Sequence, residues 1–300
     1  MTIYSQIDAN RRNTFLLMVF FVVMVLAVVE LFSLALGFGY VEGVVAGVLA
    51  AGFAYLGYLQ GDSIVLGISG ASPISKADNP DLFNTVENLC IGSGLPMPKI
   101  YIIDDSAPNA FATGRSPEKA SIAVTSGLLS KLNKLELEGV IGHELSHVKN
   151  YDTRLMMVAA VVVGVVALLA DLFLRYTWFG AGARGRYKGK GEGGVGAVIL
   201  VLALLAAILA PIAAQLIRLA VSRQREFLAD ASAALLTRYP EGLASALEKI
   251  SKDPDPLEVA NKATAHLYIA NPMKGNSSWL NDLFSTHPPI TDRVAALRSM

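Results

Sequence analysis

The chain has a single cysteine, Cys90, among its 300 residues. One thiol can form neither an intrachain disulfide nor a zinc site built on several thiolates. A fold held together by disulfides and a module held together by cysteine-bound zinc are therefore both excluded.

The chain also lacks an excess of charge of either sign. Its 25 Lys and Arg residues balance its 25 Asp and Glu residues, so the formal net charge is +0. Without a general positive field, the protein has little to attract the phosphates of nucleic acid. Charged residues make up only 17% of the chain and hydrophobic residues 53%, which is typical of a protein that lies partly in a membrane. We therefore expect the lipid bilayer as a partner, and no nucleic acid.

Long apolar runs account for this composition. The chain is almost entirely apolar from Phe15 to Leu36 and from Val41 to Leu59, and each run is close to the ~20 residues that cross a ~30 Å hydrocarbon core. The first run lacks the short apolar core and the cleavage site of a secretory signal. Arg11 and Arg12 precede it, which places the N-terminus in the cytoplasm. An uncleaved transmembrane hairpin is predicted here.

A second apolar pair is predicted within residues 155–220. Its two runs flank a glycine-rich link that carries several lysines and arginines. If this pair crossed the membrane from the cytoplasm, the basic link would lie outside, against the positive-inside bias. Two alternatives stay open: the earlier spans override the bias, or the second pair is only partly embedded. Glu30 and Asp171 lie within apolar runs, where a charge is usually paired or functional, unless they reach the interface.

The rest of the sequence is polar and contains turn signals. Helical spacing predicts helices over 81–94, 130–150, 222–236 and 240–251. Alternating β-branched residues predict strands in "KIYIIDD" and "ASIAVTSGLL". The predicted fold class is mainly α with a small β-sheet, in which membrane helices accompany an α+β domain that is interrupted by the hydrophobic helix pair.

The strongest chemical signal is the stretch "GHELSH". His143 and His147 are four residues apart, and on a helix this spacing puts both imidazoles on one face, where they can share a metal ion. Glu144 lies at the edge of that face, where it can reach the attacking water. This H-E-x-x-H arrangement supplies two nitrogen ligands and a carboxylate base for zinc-dependent hydrolysis. The alternative is a pair of surface histidines at a solvated helix end, which fits poorly with their apolar neighbours.

A catalytic zinc needs a third protein ligand. The candidates are His266, His287 and the carboxylates of "SRQREFLAD", where Glu226 and Asp230 stand one helical turn apart. We choose Glu226, because two neutral histidines and one carboxylate leave the zinc acidic enough to activate water. Asp230 would accept a hydrogen bond from the second ring nitrogen of a ligand histidine. The alternative is an ordinary charged helix face in which both carboxylates pair with nearby arginines.

Three motifs occur in order along the chain: "GHELSHVKNYDTR", "SRQREFLAD" and "FSTHPPITDRVAAL". Together with the apolar pair between them, they closely resemble the HtpX-type membrane-embedded zinc metalloproteases, which are related to the CAAX prenyl-protein proteases. The resemblance covers nearly the whole chain and implies a zincin-like α+β catalytic domain with one Zn2+ per chain. It also implies that the zinc ligands are His143, His147 and Glu226 and that the base is Glu144.

The resemblance extends to the segment "APNAFATG", which is similar to the family's active-site edge strand. An exposed strand edge can bind an extended peptide by β-augmentation. Asn109, Ala110 and Phe111 would then border the substrate groove. Taken from its residues alone, this segment is an ordinary short strand that ends in a turn.

Three further residues have weaker implications. His287 resembles a histidine that lies near the site in related enzymes, where the resemblance implies that it stabilises the oxyanion; the alternative is a structural hydrogen bond. Arg293 is expected to pair with a carboxylate and to hold the C-terminal helix in place. His266 is expected to be a buried histidine with a hydrogen-bond partner rather than a neighbour of the metal ligands.

The expected function is that of an integral membrane zinc endopeptidase acting on membrane proteins or other polypeptides. The family implies quality control of damaged membrane proteins, with the protease domain on the cytoplasmic side of the cell membrane. The expected division begins with a transmembrane hairpin (1–60) and the first half of the protease domain (61–154). A hydrophobic helix pair with a basic loop (155–220) and the second half of the protease domain (221–300) follow. A transporter or channel and a catalytically silent metal-binding scaffold are the alternatives. No oligomeric state follows from the sequence.

Overall fold

The computed structural model describes residues 3–36, 40–161, 223–259, 264–272 and 288–300. His287, Asp171 and most of the second apolar pair lie outside the described residues. The predictions that concern them, including how the second pair meets the membrane, stay predictions.

Two helices form the N-terminal part, α1 over Ile3–Leu36 and α2 over Tyr40–Leu59, and they pack against each other. Helix α1 begins well before the first apolar run, so its first turns carry polar side chains. Among the described residues, one stretch, Ile7–Ala27, is long and apolar enough to cross a membrane. The second span stays a prediction.

A four-stranded mixed sheet has the strand order β1-β2-β4-β3. The strands are β1 Ala71–Pro73, β2 Lys99–Ile103, β3 Ala110–Thr113 and β4 Ser121–Thr125. Strands β2 and β4 are parallel, whereas β1 pairs antiparallel with β2 and β3 antiparallel with β4. The predicted small sheet is confirmed, although β1 was not predicted, because its residues resemble a turn. Strand β3 lies at an edge of the sheet, so one side of its backbone can bond to other segments.

Two helices flank β1 along the chain, α3 over Gly61–Ile68 and α4 over Pro80–Ser93. The side chain of Asn79 accepts a hydrogen bond from the first turn of α4, and Gly94 ends the helix with φ 70°. A cap of this kind and a left-handed glycine are strong start and stop signals. They explain why the helix predicted over 81–94 is confirmed.

The helix predicted over 130–150 is two helices, so this prediction was wrong in its extent. Helix α5 covers Ser126–Lys131 and helix α6 covers Lys134–Lys149. Asn133 separates them: its side chain accepts a hydrogen bond from the backbone of Glu136, and the Glu136 carboxylate accepts one from the backbone of Asn133. This capping box starts a new helix and fixes where the H-E-x-x-H helix begins.

Four further helices complete the described chain: α7 at 152–161, α8 Arg223–Thr237, α9 Pro240–Lys252 and α10 Ile290–Arg298. Helix α6 lies in the middle of the domain and contacts α4, α8, α9 and β3. Its approach to α9 requires Gly139, because a Cβ there would lie 2.7 Å from the backbone nitrogen of Leu243. The H-E-x-x-H residues are therefore enclosed on several sides by other elements.

Buried apolar side chains form two clusters. The first joins α4, the sheet, α6, α8 and α9. The second joins α1 to α7, and it includes Phe111 of β3 and Tyr268. Because Leu17, Phe21 and Met24 of α1 belong to this second cluster, the N-terminal helix is packed against the domain that contains the sheet.

The start of helix α6 is tied to α9 by the buried carboxylate of Glu136. Besides the Asn133 N–H, it accepts hydrogen bonds from Ser245 at 2.6 Å and from Lys249 at 2.7 Å. Burial raises the pKa of Glu136, but Lys249, Ser245 and the Asn133 N–H together lower it below its usual value. Because the folded state favours the ionised carboxylate, this group stabilises the fold above the pKa of the unfolded chain and loses that effect as the pH falls.

We expect Glu136→Gln to lower the free energy of unfolding by about 1–3 kcal/mol at pH 7, because charge-assisted hydrogen bonds are lost. The difference from wild type should shrink as the pH falls below the unfolded pKa of about 4, because the carboxylate is protonated first in the unfolded chain and then in the folded protein. Denaturant unfolding in detergent at both pH values measures this. Glu138→Gln, which removes the same charge from the same helix, is the control and should have little effect; an equal loss in both variants would contradict the assignment.

Candidate metal centre

Helices α6 and α8 bring three candidate metal ligands together. One ligand atom each from His143, His147 and Glu226 lies within 4.8 Å of the others. The two Nε2 atoms are 3.1 Å apart, and the Glu226 carboxylate oxygens lie 3.7 Å from His143 Nε2 and 3.5 Å from His147 Nε2. All three side chains are buried. Residues that are about 80 positions apart in the sequence therefore converge on one point.

This set of donors fits a zinc ion. Two imidazole nitrogens point at each other and at a buried carboxylate. Two histidines and one carboxylate are a usual ligand set of a catalytic zinc, which keeps a further position open for water or substrate. Burial lowers the pKa of His143 to about 4, so that its ring is neutral at pH 7, as metal binding requires. Burial also lowers the pKa of His147, but Asp152 and Glu226 outweigh it and raise the pKa to about 9. His147 would thus exchange a proton for the metal.

A carboxylate holds the second ring nitrogen of each histidine. Asp230 Oδ1 lies 2.9 Å from His143 Nδ1, and Asp152 Oδ2 lies 3.0 Å from His147 Nδ1. Such contacts fix the tautomer and orientation of a ligand histidine, with Nε2 directed at the metal. Asp230 was expected to take part in a contact of this kind. Asp152 was missed, although it stands in "NYDTR", directly after the H-E-x-x-H helix.

Arg293 of α10 lies fully buried beside Asp230. Its guanidinium donates to both carboxylate oxygens, from Nε at 2.8 Å and from Nη2 at 2.7 Å, in the two-pronged geometry that suits arginine and carboxylate. Although burial raises the pKa of Asp230, the Arg293 charge lowers it to about 2. Arg293 Nη1 also lies 3.6 Å from the Glu226 carboxylate. The C-terminal helix is therefore joined to the metal centre by a buried ion pair.

The N-terminal helix reaches the same centre through Asn10, which the sequence analysis did not identify. The buried Asn10 amide donates to Asp152 Oδ1 at 2.6 Å and to the Asn150 carbonyl at 2.9 Å. Its oxygen accepts a hydrogen bond from Arg225 Nη1 at 2.9 Å. Arg225 is the neighbour of Glu226, so one amide of α1 contacts both the α6–α7 junction and helix α8.

Glu144 is buried next to the ligands. Burial raises the pKa of Glu144 to about 7, although His147 lowers it and Glu226 raises it further. The backbone N–H of Ala112 donates a hydrogen bond to the carboxylate, which lowers the pKa and orients the group. A carboxylate with a pKa near 7 can both accept and return a proton at neutral pH.

Asn109, Ala110 and Phe111 lie at the edge strand β3 or beside it, close to helix α6. The Ala110 carbonyl accepts a hydrogen bond from the Ile269 N–H at 3.0 Å, and the Asn109 amide nitrogen donates to the Ala270 carbonyl at 3.1 Å. The Phe111 ring packs edge-on against the ring of Tyr268, the residue before Ile269. The predicted groove residues therefore face the chain's own segment 268–270.

The other two predicted histidines have different outcomes. His266 is buried and its Nε2 lies 3.1 Å from the Met156 carbonyl, which agrees with a buried, hydrogen-bonded histidine. His287 lies outside the described residues, so its role stays a prediction.

Comparison with known proteins identifies the family. Residues 76–300 match Peptidase family M48. The "Protease HtpX homolog" of Dictyoglomus thermophilum is 48% identical over 301 residues, which span 100% of this chain and 95% of that protein. The "Protease HtpX homolog" of Streptococcus uberis is 44% identical over 299 residues, which span 99% and 100%.

The chain belongs to peptidase family M48, a family of metalloproteases. Within it, the protein is a membrane metalloprotease of the HtpX type. The predicted resemblance and the predicted enzyme class are confirmed. The alternative functions, a transporter or channel and a catalytically silent scaffold, are not supported. A solved structure, that of Ste24p from S. mikatae, is 20% identical with a TM-score of 0.44 and covers 81% of this chain and 57% of that one; a likeness this distant adds nothing to the assignment.

We expect Asp152→Asn to weaken zinc binding by about 10- to 100-fold, because the partner of a ligand histidine loses its charge. Asn10→Ala should weaken it less, since Asn10 bonds Asp152 and Arg225 rather than a candidate ligand itself. Competition with a fluorescent zinc chelator measures both. Asn13→Ala, a change in the same helix, serves as the matched control. Unchanged affinity in Asp152→Asn would show that this carboxylate does not position His147.

Proposed function

We propose that His143, His147 and Glu226 hold one Zn2+ and that Glu144 is the general base of peptide-bond hydrolysis. The observation that carries this proposal is the convergence of three buried ligand atoms within 4.8 Å of one another. A buried cluster of a carboxylate and two imidazoles is costly unless a cation compensates it. A bound zinc would supply Lewis acidity to the attacking water and to the scissile carbonyl.

The other chemistry belongs to the chain itself. Glu144 takes the proton of the attacking water and passes it to the leaving amine, for which its pKa of about 7 is suited. The Ala112 N–H keeps its carboxylate oriented. Asp230 and Asp152 hold the histidine rings in the tautomer that presents Nε2, and Arg293 keeps Asp230 ionised.

We infer that Asn109, Ala110 and Phe111 border the substrate groove. Strand β3 is at the sheet edge, and its outward backbone groups belong to Ala110 and Ala112. The N–H of Ala112 donates a hydrogen bond to Glu144, the proposed general base, so a peptide bound along this edge would lie next to the Glu144 carboxylate. For His287, in "THPP", the proposal is that it stabilises the oxyanion of the reaction, and a structural hydrogen bond is the alternative.

We further propose that the substrates are membrane proteins or their exposed loops, cleaved in quality control at the cytoplasmic face. Two observations support a site close to the bilayer. The candidate span Ile7–Ala27 includes Asn10, whose amide is 2.6 Å from Asp152. The third apolar run begins at residue 155, immediately after the H-E-x-x-H helix. The division of the protease domain into two halves, 61–154 and 221–300, by a hydrophobic pair belongs to the same proposal.

Glu144→Gln should bind zinc as wild type does but lose cleavage of β-casein by at least about 100-fold, because the general base is removed. Glu226→Ala should lose the metal as well as activity. Zinc content by atomic absorption and a gel assay of cleavage distinguish the two. Glu138→Gln, on the same helix, is the control for general effects of charge. Full activity in Glu144→Gln would refute its assignment as the base.

A peptide substrate carrying a hydrophobic membrane anchor should be cleaved at least about tenfold more efficiently than the same peptide without it, because both partners share one bilayer. The comparison uses the protein reconstituted in liposomes and kcat/KM for each peptide. Glu144→Gln gives the background. Equal efficiency for the two peptides would argue against membrane proteins as the preferred substrates.

A further inference from the structure

The metal centre is closed to solvent in this structure. His143, Glu144, His147 and Glu226 are 1%, 2%, 4% and 0% exposed. An extended polypeptide cannot reach side chains that are buried to this degree, so an element that covers them must move before a substrate can bind. The edge of β3 is where a substrate is expected, and that edge is already occupied.

The occupant is the chain's own segment Tyr268–Ala270. The Ile269 N–H donates to the Ala110 carbonyl at 3.0 Å. The Asn109 side chain holds the next residue: its Nδ2 donates to the Ala270 carbonyl at 3.1 Å, and its Oδ1 lies 3.5 Å from the Ala270 nitrogen. These bonds engage the main chain of the segment, as one strand engages another in a β-ladder.

Arg293 binds the same segment from the side of the metal centre. Its Nη1 donates to the Ile269 carbonyl at 3.0 Å, while Nε and Nη2 hold Asp230, the partner of His143. Both main-chain groups of Ile269 are therefore bound, the N–H by β3 and the carbonyl by Arg293. Because none of these bonds involves the Ile269 side chain, many other residues could make them in its place.

The segment also has the direction of an added strand. The Tyr268 ring packs edge-on against Phe111 with centroids 5.0 Å apart, so residues 268, 269 and 270 lie opposite 111, 110 and 109. The segment is thus antiparallel to β3. An extended peptide that adds to a sheet edge can take this direction and form the same bonds.

We propose that Asn109, Ala110 and Arg293 bind the main chain of an extended substrate, and that segment Tyr268–Ala270 fills this place in the resting enzyme and must leave before cleavage. The proposal rests on the proposed function of the β3 edge as the substrate groove. A substrate then binds only the enzyme molecules from which the segment has moved. The apparent affinity for substrate is therefore reduced in proportion to the fraction of molecules in that open state.

Replacing the segment by a substrate leaves the number of main-chain hydrogen bonds at this site unchanged. Each hydrogen bond that Ile269 and Ala270 give up is formed again by the substrate. The cost of displacement lies instead in the side chains, because Tyr268 and Ile269 are buried and the Tyr268 hydroxyl lies 3.3 Å from Ser69 Oγ. The segment is therefore expected to stay in place until a bound polypeptide compensates for its removal.

Hydrogen exchange on zinc-loaded Glu144→Gln protein in detergent tests the displacement, with intact β-casein as the probe. The Ile269 amide should be protected in the free protein and should exchange at least about tenfold faster once β-casein is bound. Unchanged or increased protection, with β-casein bound and with wild type cleaving it, would overturn the proposal and leave the protease assignment intact. Failure of wild type to cleave β-casein would count against the proposed function itself.

A matched pair of variants tests the competition. Ile269→Pro removes the N–H that bonds Ala110, so the Kd of the Glu144→Gln protein for β-casein should fall by about 2- to 10-fold, the effect of one hydrogen bond. With the catalytic Glu144 present, KM should fall similarly while zinc content stays the same. Ile269→Val keeps the N–H and should resemble wild type. A weaker affinity in Ile269→Pro with normal zinc content would mean that the segment helps to build the site rather than to block it.

Discussion

The centre of this molecule depends on the burial of one carboxylate beside two imidazoles. Glu226 reaches His143 and His147 from a helix about 80 residues further along the chain, so helices α6 and α8 must pack together for the cluster to exist. Such a cluster is unfavourable in an apolar interior unless each charge has a partner. The partners form an outer layer around the rings: Asp230, Asp152, Arg293 and Asn10.

Through this outer layer, distant parts of the chain contact the candidate metal centre. Asn10 belongs to the helix that contains the candidate membrane span, and Arg293 belongs to the C-terminal helix. Displacement of either helix would remove a hydrogen bond from the partner of a ligand histidine. The helix that contains the candidate membrane span is therefore part of the structure that orients the candidate site. The Arg293 contact with Ile269 adds a link between the centre and the segment that lies along the β3 edge.

Local patterns predicted the parts of the fold that depend on neighbouring residues. The spacing of His143 and His147 is set by the helical repeat, and the caps at Asn79 and Gly94 act within a single turn. The helix break at Asn133 was overlooked because the apolar pattern continues across it, although the capping box was present in the sequence. Strand β1 was overlooked because three residues that resemble a turn become a strand only when β2 is beside them.

The sequence by itself determined the chemistry: which residue types stand at helical spacing, and that long apolar runs accompany them. Only the tertiary structure decided that Asp230 holds the His143 ring, because the two residues lie on different helices. It likewise decided that Asn10 bonds Asp152, which is separated from it by 142 residues. It also decided that the β3 edge is occupied, since Asn109 and Ala270 are separated by 161 residues. Hydrogen bonds act over about 3 Å, so contacts between such remote positions exist only after the whole chain has folded around them.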